Sequence, residues 1–285
     1  METLLQVENL SKEYDGFSLK NIHFSIPKGF IMGLIGPNGS GKTTTIKLML
    51  NMRKRSTGTI KFFGLDNQKD ELKIKEQIGV VFDSNFFVDE WSMADVEKSI
   101  GRFYRLWDTN LFYSYLERFK ISPKKKVKEL SKGMQMKLML ACVFSYDAKL
   151  LILDEPTSGL DPVSRDELMD ILKEYIDDGE HSVLFSTHIT SDLDKVADYI
   201  TYISMGELFY TGSKDDLMDS YRVIKGGLSE LSSELESKLI GMRRYSTGFE
   251  ALIKTKDAIK FDNFSYDVAT IDDIIVYTSK REGQS

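Results

Sequence analysis

The chain has 285 residues, 41% of them hydrophobic, a net charge of -6 and one cysteine, Cys142. This is enough to bury one large domain, or a medium domain with an appendage, while the acidic balance argues against broad attachment to nucleic acid, which needs clustered basic surface. A lone cysteine forms no internal disulfide, Met1-Glu2-Thr3 opens no charged-then-apolar signal, and the longest apolar run, Leu138 to Tyr146, stops at Asp147, far short of the ~18 residues of a membrane span; the chain is expected in the cytoplasm, with any membrane crossing left to another chain.

From the N-terminus, Leu4 to Leu10 and Leu19 to Ile26 alternate apolar and polar positions, as antiparallel strands do. Pro27-Lys28-Gly29 then turns into Ile31 to Ile35, a short apolar run that reads as a buried parallel strand. Next comes Gly-Pro-Asn-Gly-Ser-Gly-Lys-Thr at Gly36 to Thr43, a complete phosphate-loop pattern, and Thr44 to Met52 continues as a helix. Strands are predicted at Thr59 to Gly64 and at Ile78 to Phe82, the latter ending at Asp83. Between Met93 and Phe119 there is no proline, and aromatics recur at Phe103, Tyr104, Trp107, Phe112, Tyr113, Tyr115 and Phe119, which predicts helices in a subdomain of about residues 88–145. Leu150 to Leu153 and Val183 to Ser186 are apolar strands on either side of a charged helix, Ser164 to Ile176, an alternation that implies a parallel sheet. Tyr199 to Tyr210, broken at Met205-Gly206-Glu207, resembles a hairpin, and the stretch from Tyr221 reads as a strand, a helix containing Leu231, Leu235 and Leu239, and an amphipathic finish at Ile271 to Thr278.

The loop and its flanks carry specific chemistry. Gly36, Gly39 and Gly41 permit backbone conformations that side chains block; with Pro37, Asn38 and Ser40 they form a cradle of N–H groups at the positive end of the helix opened by Thr44. Lys42 would reach the terminal phosphates and the Thr43 hydroxyl a magnesium ion, so ATP or GTP is the expected ligand. Asp154 and Glu155 end an apolar strand, where neighbouring side chains point to opposite sides; Asp154 suits the metal and Glu155 the attacking water. An acidic pair at a strand end is often only a solvated turn, yet it rarely accompanies a phosphate loop by accident.

Leu130-Ser131-Lys132-Gly133-Met134-Gln135 precedes an apolar helix, and with it the order of motifs resembles the nucleotide-binding subunit of an ATP-binding cassette (ABC) transporter over roughly residues 1–220, in particular the exporters of the bacitracin-resistance and peptide-export types in Gram-positive bacteria. The resemblance implies an α/β fold: a P-loop NTPase core with a mixed sheet, an antiparallel β flank, a helical signature subdomain and a small C-terminal α+β appendage at 221–285. It implies Tyr14 against adenine, Asp83 at the magnesium and water site where the family usually has glutamine, and Ser131, Lys132, Gly133, Met134 and Gln135 closing over a γ-phosphate held by an opposite subunit. It further implies Ser158 and Asp161 in a loop joining two sites across a dimer, and His188, 33 residues after Glu155, as a catalytic switch on the γ-phosphate. A signature helix far from its own phosphate loop can serve only a neighbour, so two cassettes would sandwich two nucleotides head to tail.

The implied partners are an integral membrane permease and a second copy of this chain or a homologous ATPase, at the cytoplasmic face of the membrane, with ATP and Mg2+ as ligands and a peptide, antimicrobial or lipid-like amphipathic substrate for export. No nucleic acid is expected. A soluble ABC-type ATPase acting on ribosomes or DNA is the alternative; it usually carries two cassettes or coiled-coil insertions, which this chain lacks. A nucleotide-binding regulator without turnover fits less well, because Glu155 and His188 are both present. The aromatic stripe reads as subdomain core with some rings left for a permease helix, the basic run Pro123 to Lys128 as a solvated turn, Met134, Met136 and Met139 as packing residues, and Cys142 as a small buried hydrophobe.

Overall fold

Alternation in the first residues produces two long antiparallel strands, β1 (Thr3–Tyr14) and β2 (Phe17–Pro27), whose inward positions, among them Leu5, Val7, Leu10, Leu19, Ile22 and Ile26, are buried. The computed structural model describes residues 2–282. After β2 come β3 (Ile31–Ile35), α1 (Lys42–Met49), β4 (Thr57–Phe62), β5 (Leu65–Asp66), α2 (Glu71–Lys75) and β6 (Ile78–Val81). The helical region holds α3 (Met93–Gly101), α4 (Thr109–Arg118) and α5 (Lys132–Phe144), each opened by a side-chain cap, from Ser92, Asp108 and Ser131 in turn. Next are β7 (Leu150–Asp154), α6 (Pro162–Ile176), β8 (Ser182–Thr187), α7 (Thr190–Val196), β9 (Tyr199–Ser204), β10 (Glu207–Ser213) and α8 (Lys214–Asp219). The chain closes with β11 (Tyr221–Gly226), α9 (Ser233–Glu236), β12 (Leu239–Arg244), β13 (Phe249–Lys254), α10 (Thr255–Ala258), β14 (Ser265–Val268) and α11 (Ile271–Glu282).

Ten strands form one mixed sheet in the order β5-β4-β1-β2-β10-β9-β3-β8-β7-β6. From β9 to β6 every pairing is parallel, and β3, β7 and β8 are buried along their whole length, which is why they read as unbroken apolar runs rather than alternating ones. The strands from β5 to β2 pair antiparallel, joined to the parallel part where Glu207 meets Lys20. In the helical region Phe112 and Phe119 are buried, Tyr104, Trp107, Tyr113 and Tyr115 pack against the core, and Phe103 of the stripe stays 68% exposed. Lys126 and Lys128 of the basic run both pair with Glu90 on the surface. Cys142 is buried, which pushes its thiol pKa up. Among the described residues no helix is long and apolar enough to cross a membrane.

The C-terminal part departs from the helix expected through Leu231, Leu235 and Leu239. Only Ser233–Glu236 is α-helical there, capped by Ser232, and Leu239 instead opens β12 and pairs with Ile253 in a second sheet, ordered β12-β13-β11-β14. The four-residue spacing of three leucines is outweighed by the pairing that β13 offers Leu239. This part also packs against the main core. Ile271, Ile274 and Tyr277 of α11 are buried in the same core as Leu193, Ile200 and Tyr202, and the Tyr202 hydroxyl lies 2.7 Å from Thr278 Oγ1.

A chain ended after Ser220 therefore loses packing from the main core as well as the second sheet. Such a truncation is predicted to cost at least ~3 kcal/mol, lowering the melting temperature by about 10 °C; a thermal melt matching that of the full chain would show the core to be complete without it.

Candidate functional site

The parallel strands deliver the chemistry-bearing residues to one edge of the sheet. β3 leads into the phosphate loop, β7 ends at Asp154-Glu155, β8 ends before His188, and β6 runs through Phe82 to Asp83. The registers Ile35 to Thr187 and Asp154 to Ser186 place these ends side by side, at the carboxyl end of the strands where open α/β sheets hold ligands.

A cavity of about 550 Å³ opens there, bordered by Phe17, Asn38 to Thr44, Asp83, Glu155, Ser158 and His188, a volume within the usual range of ligand sites. Gly36 has φ 152°, and a Cβ there would run into the Ile203 carbonyl oxygen and Ser40 Oγ. Gly41, at φ 114°, caps α1 and lies against Leu19 and Phe17. These two positions require glycine. Lys42 is buried; its Nζ donates to the carbonyls of Gly36 (2.8 Å) and Pro37 (3.3 Å) and lies 3.4 Å from Glu155 Oε1.

Glu155 is held from its other side by His188, whose Nδ1 is 2.6 Å from Oε2. With Glu155 ionised the shared proton belongs on Nδ1, which leaves Nε2 for another partner. The backbone of Glu155 is left-handed, φ 53°, and its N–H donates to both the carbonyl (3.1 Å) and the hydroxyl (3.0 Å) of Ser186. An αL turn costs a non-glycine residue ~1–2 kcal/mol, and the Ser186 bonds hold it. The turn separates the acidic neighbours: Glu155 borders the cavity, while Asp154 is 6% exposed.

Asp154 Oδ1 accepts from Ser186 Oγ at 2.7 Å and Thr43 Oγ1 at 3.1 Å. Burial pushes its pKa up, Ser186 and Thr43 pull it down, and the charges of Glu155 and Asp83 push it up again. Thr43, Asp83, Asp154 and Glu155 also border one further cavity of about 460 Å³. An all-oxygen set, with a buried carboxylate strained by like charge, fits a hard cation such as Mg2+.

Tyr14 does not border the phosphate cavity. It is 41% exposed in the next one, alongside Gly39, and its ring is 6.5 Å from Phe17, which borders both. Nor do Ser131 to Gln135 border that cavity. Ser131 accepts from Met134 N at the start of α5, Lys132 lies across Gly159, and a Cβ on Gly133 would press on Ser164. Gln135 is engaged within the chain, accepting from Asn85 (2.6 Å) and donating to the Leu130 carbonyl (3.2 Å). Ser158 borders the cavity, whereas Asp161 caps α6 through Val163 N and Ser164 N. Phe17 and Ser186 were missed from sequence. An aromatic three residues after Tyr14 and a serine just ahead of Thr187-His188 were the available signals.

The family described as ABC transporter matches residues 19–158. The chain is 31% identical to the ABC transporter ATP-binding protein YtrB of Bacillus subtilis over 76% of this chain and 75% of that protein. It is 32% identical to the lantibiotic transport ATP-binding protein SrtF of Streptococcus pyogenes over 74% and 93%, and 28% identical to the bacitracin transport ATP-binding protein BcrA of Enterococcus faecalis over 73% and 68%. Among solved structures it resembles an ATP binding subunit of an ABC transporter, with TM-score 0.68, 26% identity and coverage of 75% of this chain and 91% of that one. It also resembles CbiO1 of Clostridium perfringens, with TM-score 0.66, 28% identity and coverage of 76% and 91%.

The electrostatics of Asp154 generate a stability test. A raised carboxylate pKa means the folded chain holds the proton more tightly than the unfolded one, so the penalty is present at neutral pH and shrinks as pH falls through the folded value. Asp154→Asn is predicted to raise the melting temperature of the nucleotide-free, metal-free protein by about 3 °C, or ~1 kcal/mol, with the gain fading in acid. A lower or unchanged melting temperature at neutral pH contradicts this reading of the site.

Proposed function

The chain belongs to the ABC transporter family as an ATP-binding, ATP-hydrolysing subunit, and from that membership we propose that it dimerises head to tail on ATP and Mg2+ and drives export through a permease on a separate chain. The observation that carries the proposal is Glu155 held between Lys42 and His188 at the mouth of the phosphate cavity.

In this arrangement Lys42 has its charge satisfied by Glu155 and the loop carbonyls. A triphosphate entering the loop gives Lys42 a stronger anionic partner, with the N–H groups of Gly39 to Thr43 at the start of α1 turned to its oxygens. Glu155 is then released to hold the attacking water. As the water oxygen bonds to the γ-phosphorus in line with the leaving bridge oxygen, the β–γ bridge bond breaks and Glu155 takes the proton. His188, donating through Nδ1–H, keeps Glu155 aimed, and as the imidazolium it would also donate through Nε2–H to a γ-phosphate oxygen. Thr43, Asp154 and Asp83 would hold Mg2+, which when bound neutralises charge on the β- and γ-phosphates. Tyr14 and Phe17 offer the base a two-ring surface.

The dimer is supported by the place of Ser131 to Gln135. They form a helix N-terminus outside their own cavity, so their donors can complete only the site of a neighbour, reached together with Ser158 and Asp161. Exposed Phe86 and Val88 beyond Asp83, with Phe103 and Leu106 after α3, provide apolar surface for a permease segment, which would hold the chain at the cytoplasmic face of the membrane. Relatives named for lantibiotic and bacitracin transport support a peptide, antimicrobial or lipid-like amphipathic substrate. The reading as a ribosome- or DNA-acting ATPase has no such support.

Glu155→Gln is predicted to lower ATP turnover at least 100-fold while ATP stays bound and the protein elutes as a dimer. A variant hydrolysing at a rate comparable to the parent removes Glu155 from the role of base. Lys42→Ala is predicted to weaken ATP binding itself by at least about tenfold, read by nucleotide titration, and an unchanged affinity counts against its contact with the phosphates.

A further inference from the structure

Behind the cavity, three chain segments meet at a buried polar node. Thr157, two residues past Glu155 and next to Ser158, is fully buried; Asp192, on α7 four residues past His188, is 2% exposed; Arg165, on α6 just beyond Asp161, aims Nε to within 3.9 Å of Asp192 Oδ1. Thr157 Oγ1, Arg165 Nε and Asp192 Oδ2 each lack a hydrogen-bond partner, three of the five such buried side-chain atoms among the described residues. Burial pushes the Asp192 carboxyl pKa up; the nearby Thr157 hydroxyl, which forms no bond of good geometry, and then the charges of Arg165, Lys195 and His188 oppose it.

Leaving buried polar groups unmade costs ~1–3 kcal/mol each. A node that only stapled α6 to α7 would close its bonds in the resting fold. Here complementary groups, one donor-acceptor hydroxyl, one cation and one anion, are buried without closed hydrogen bonds, with Arg165 and Asp192 3.9 Å apart, and each belongs to a segment that carries a proposed functional residue: Glu155 and Ser158, Asp161, or His188.

We propose that Asp192 is a positioning residue for ATP hydrolysis: it draws the Thr157 hydroxyl and the Arg165 guanidinium together when a second copy engages the Ser158–Asp161 loop, fixing Glu155 and His188 relative to one another. The inference rests on the assignment of Glu155 and His188 to hydrolysis. Asp192 touches no substrate in this scheme, since it does not border the phosphate cavity; it acts through the two turns that follow β7 and β8. The closed node makes the loop that contacts the neighbour and the residues that cleave ATP move as one unit.

Steady-state ATPase kinetics of the full chain test this, with Thr157→Val, Thr157→Ser and Asp192→Asn. Because the Thr157 hydroxyl is unpaired at rest, T157V is expected to keep the parent's melting temperature or exceed it. It is also expected to lower kcat about tenfold with KM for ATP within about twofold, and T157S, which keeps the hydroxyl, is expected to restore kcat; D192N is expected to lower kcat at least as far as T157V with the same KM. Parent-like kcat in T157V overturns the inference, as does a loss of kcat accompanied by an equal loss in T157S or by a matching rise in KM. If D192N does not fold, the T157V and T157S pair decides alone. Since the Glu155 assignment has its own test in E155Q, a dead E155Q beside a fully active T157V removes only the positioning role, whereas an active E155Q removes the assignment beneath it.

Discussion

The ion pair between Lys42 and Glu155 is the contact on which the rest of the site turns. Both side chains are largely withdrawn from water, Lys42 at 6% and Glu155 at 19% side-chain exposure, and a desolvated charge needs a partner or a strong set of hydrogen bonds. In the resting fold each supplies the other's need. The arrangement stores the means of its own opening, because a triphosphate is a better partner for the lysine than a single carboxylate is. On the proposed mechanism, substrate entry and release of the base are then one exchange of ion pairs. Uncommitted water has no activated base in the resting state, which suits an ATPase whose turnover is to be coupled to something else.

That exchange depends on how the strands end. Five parallel strands bring loop, carboxylates and histidine to one edge, but the left-handed turn at Glu155 is what parts the two acidic neighbours into a buried Asp154 and a cavity-facing Glu155. Ser186 serves both: its hydroxyl donates to Asp154, while its hydroxyl and carbonyl oxygens receive the Glu155 N–H. The same residue therefore supports the candidate metal ligand and the candidate base. Beneath it Arg165 of α6 and Asp192 of α7 face each other at 3.9 Å, and α11 from the C-terminal part closes the core under β9. Ser279 of α11 borders a cavity together with Pro37 to Ser40, which places the C-terminal helix beside the phosphate loop.

Much of this was legible in residue order. Gly36 to Thr43, Asp154-Glu155 and His188 stand out because the roles proposed for them need fixed residue types beside strands that are apolar throughout. Phe17 and Ser186 were not legible, since an aromatic or a serine acquires a role only from what the sheet places next to it. The node at Thr157, Arg165 and Asp192 was invisible for the same reason: its members come from three segments, and no local pattern joins them. The leucines at Leu231, Leu235 and Leu239 misled because helical spacing was read without the competing strand β13, which takes Leu239 into a sheet. The boundary near residue 220 suggested by the motifs conceals a shared core, which only the burial of Ile271, Ile274 and Tyr277 reveals.

The competition between Glu155 and phosphate for Lys42 is most directly measured with ADP, which lacks the γ-phosphate that a second copy would grip and so isolates the exchange from dimer formation. Titrating ADP into the parent and into the Glu155→Gln variant compares the loop with and without its resident anion. The variant is predicted to bind ADP about fivefold more tightly, or ~1 kcal/mol. Equal or weaker binding would mean that Glu155 does not hold Lys42 against the nucleotide, and the ion-pair exchange would have to be abandoned.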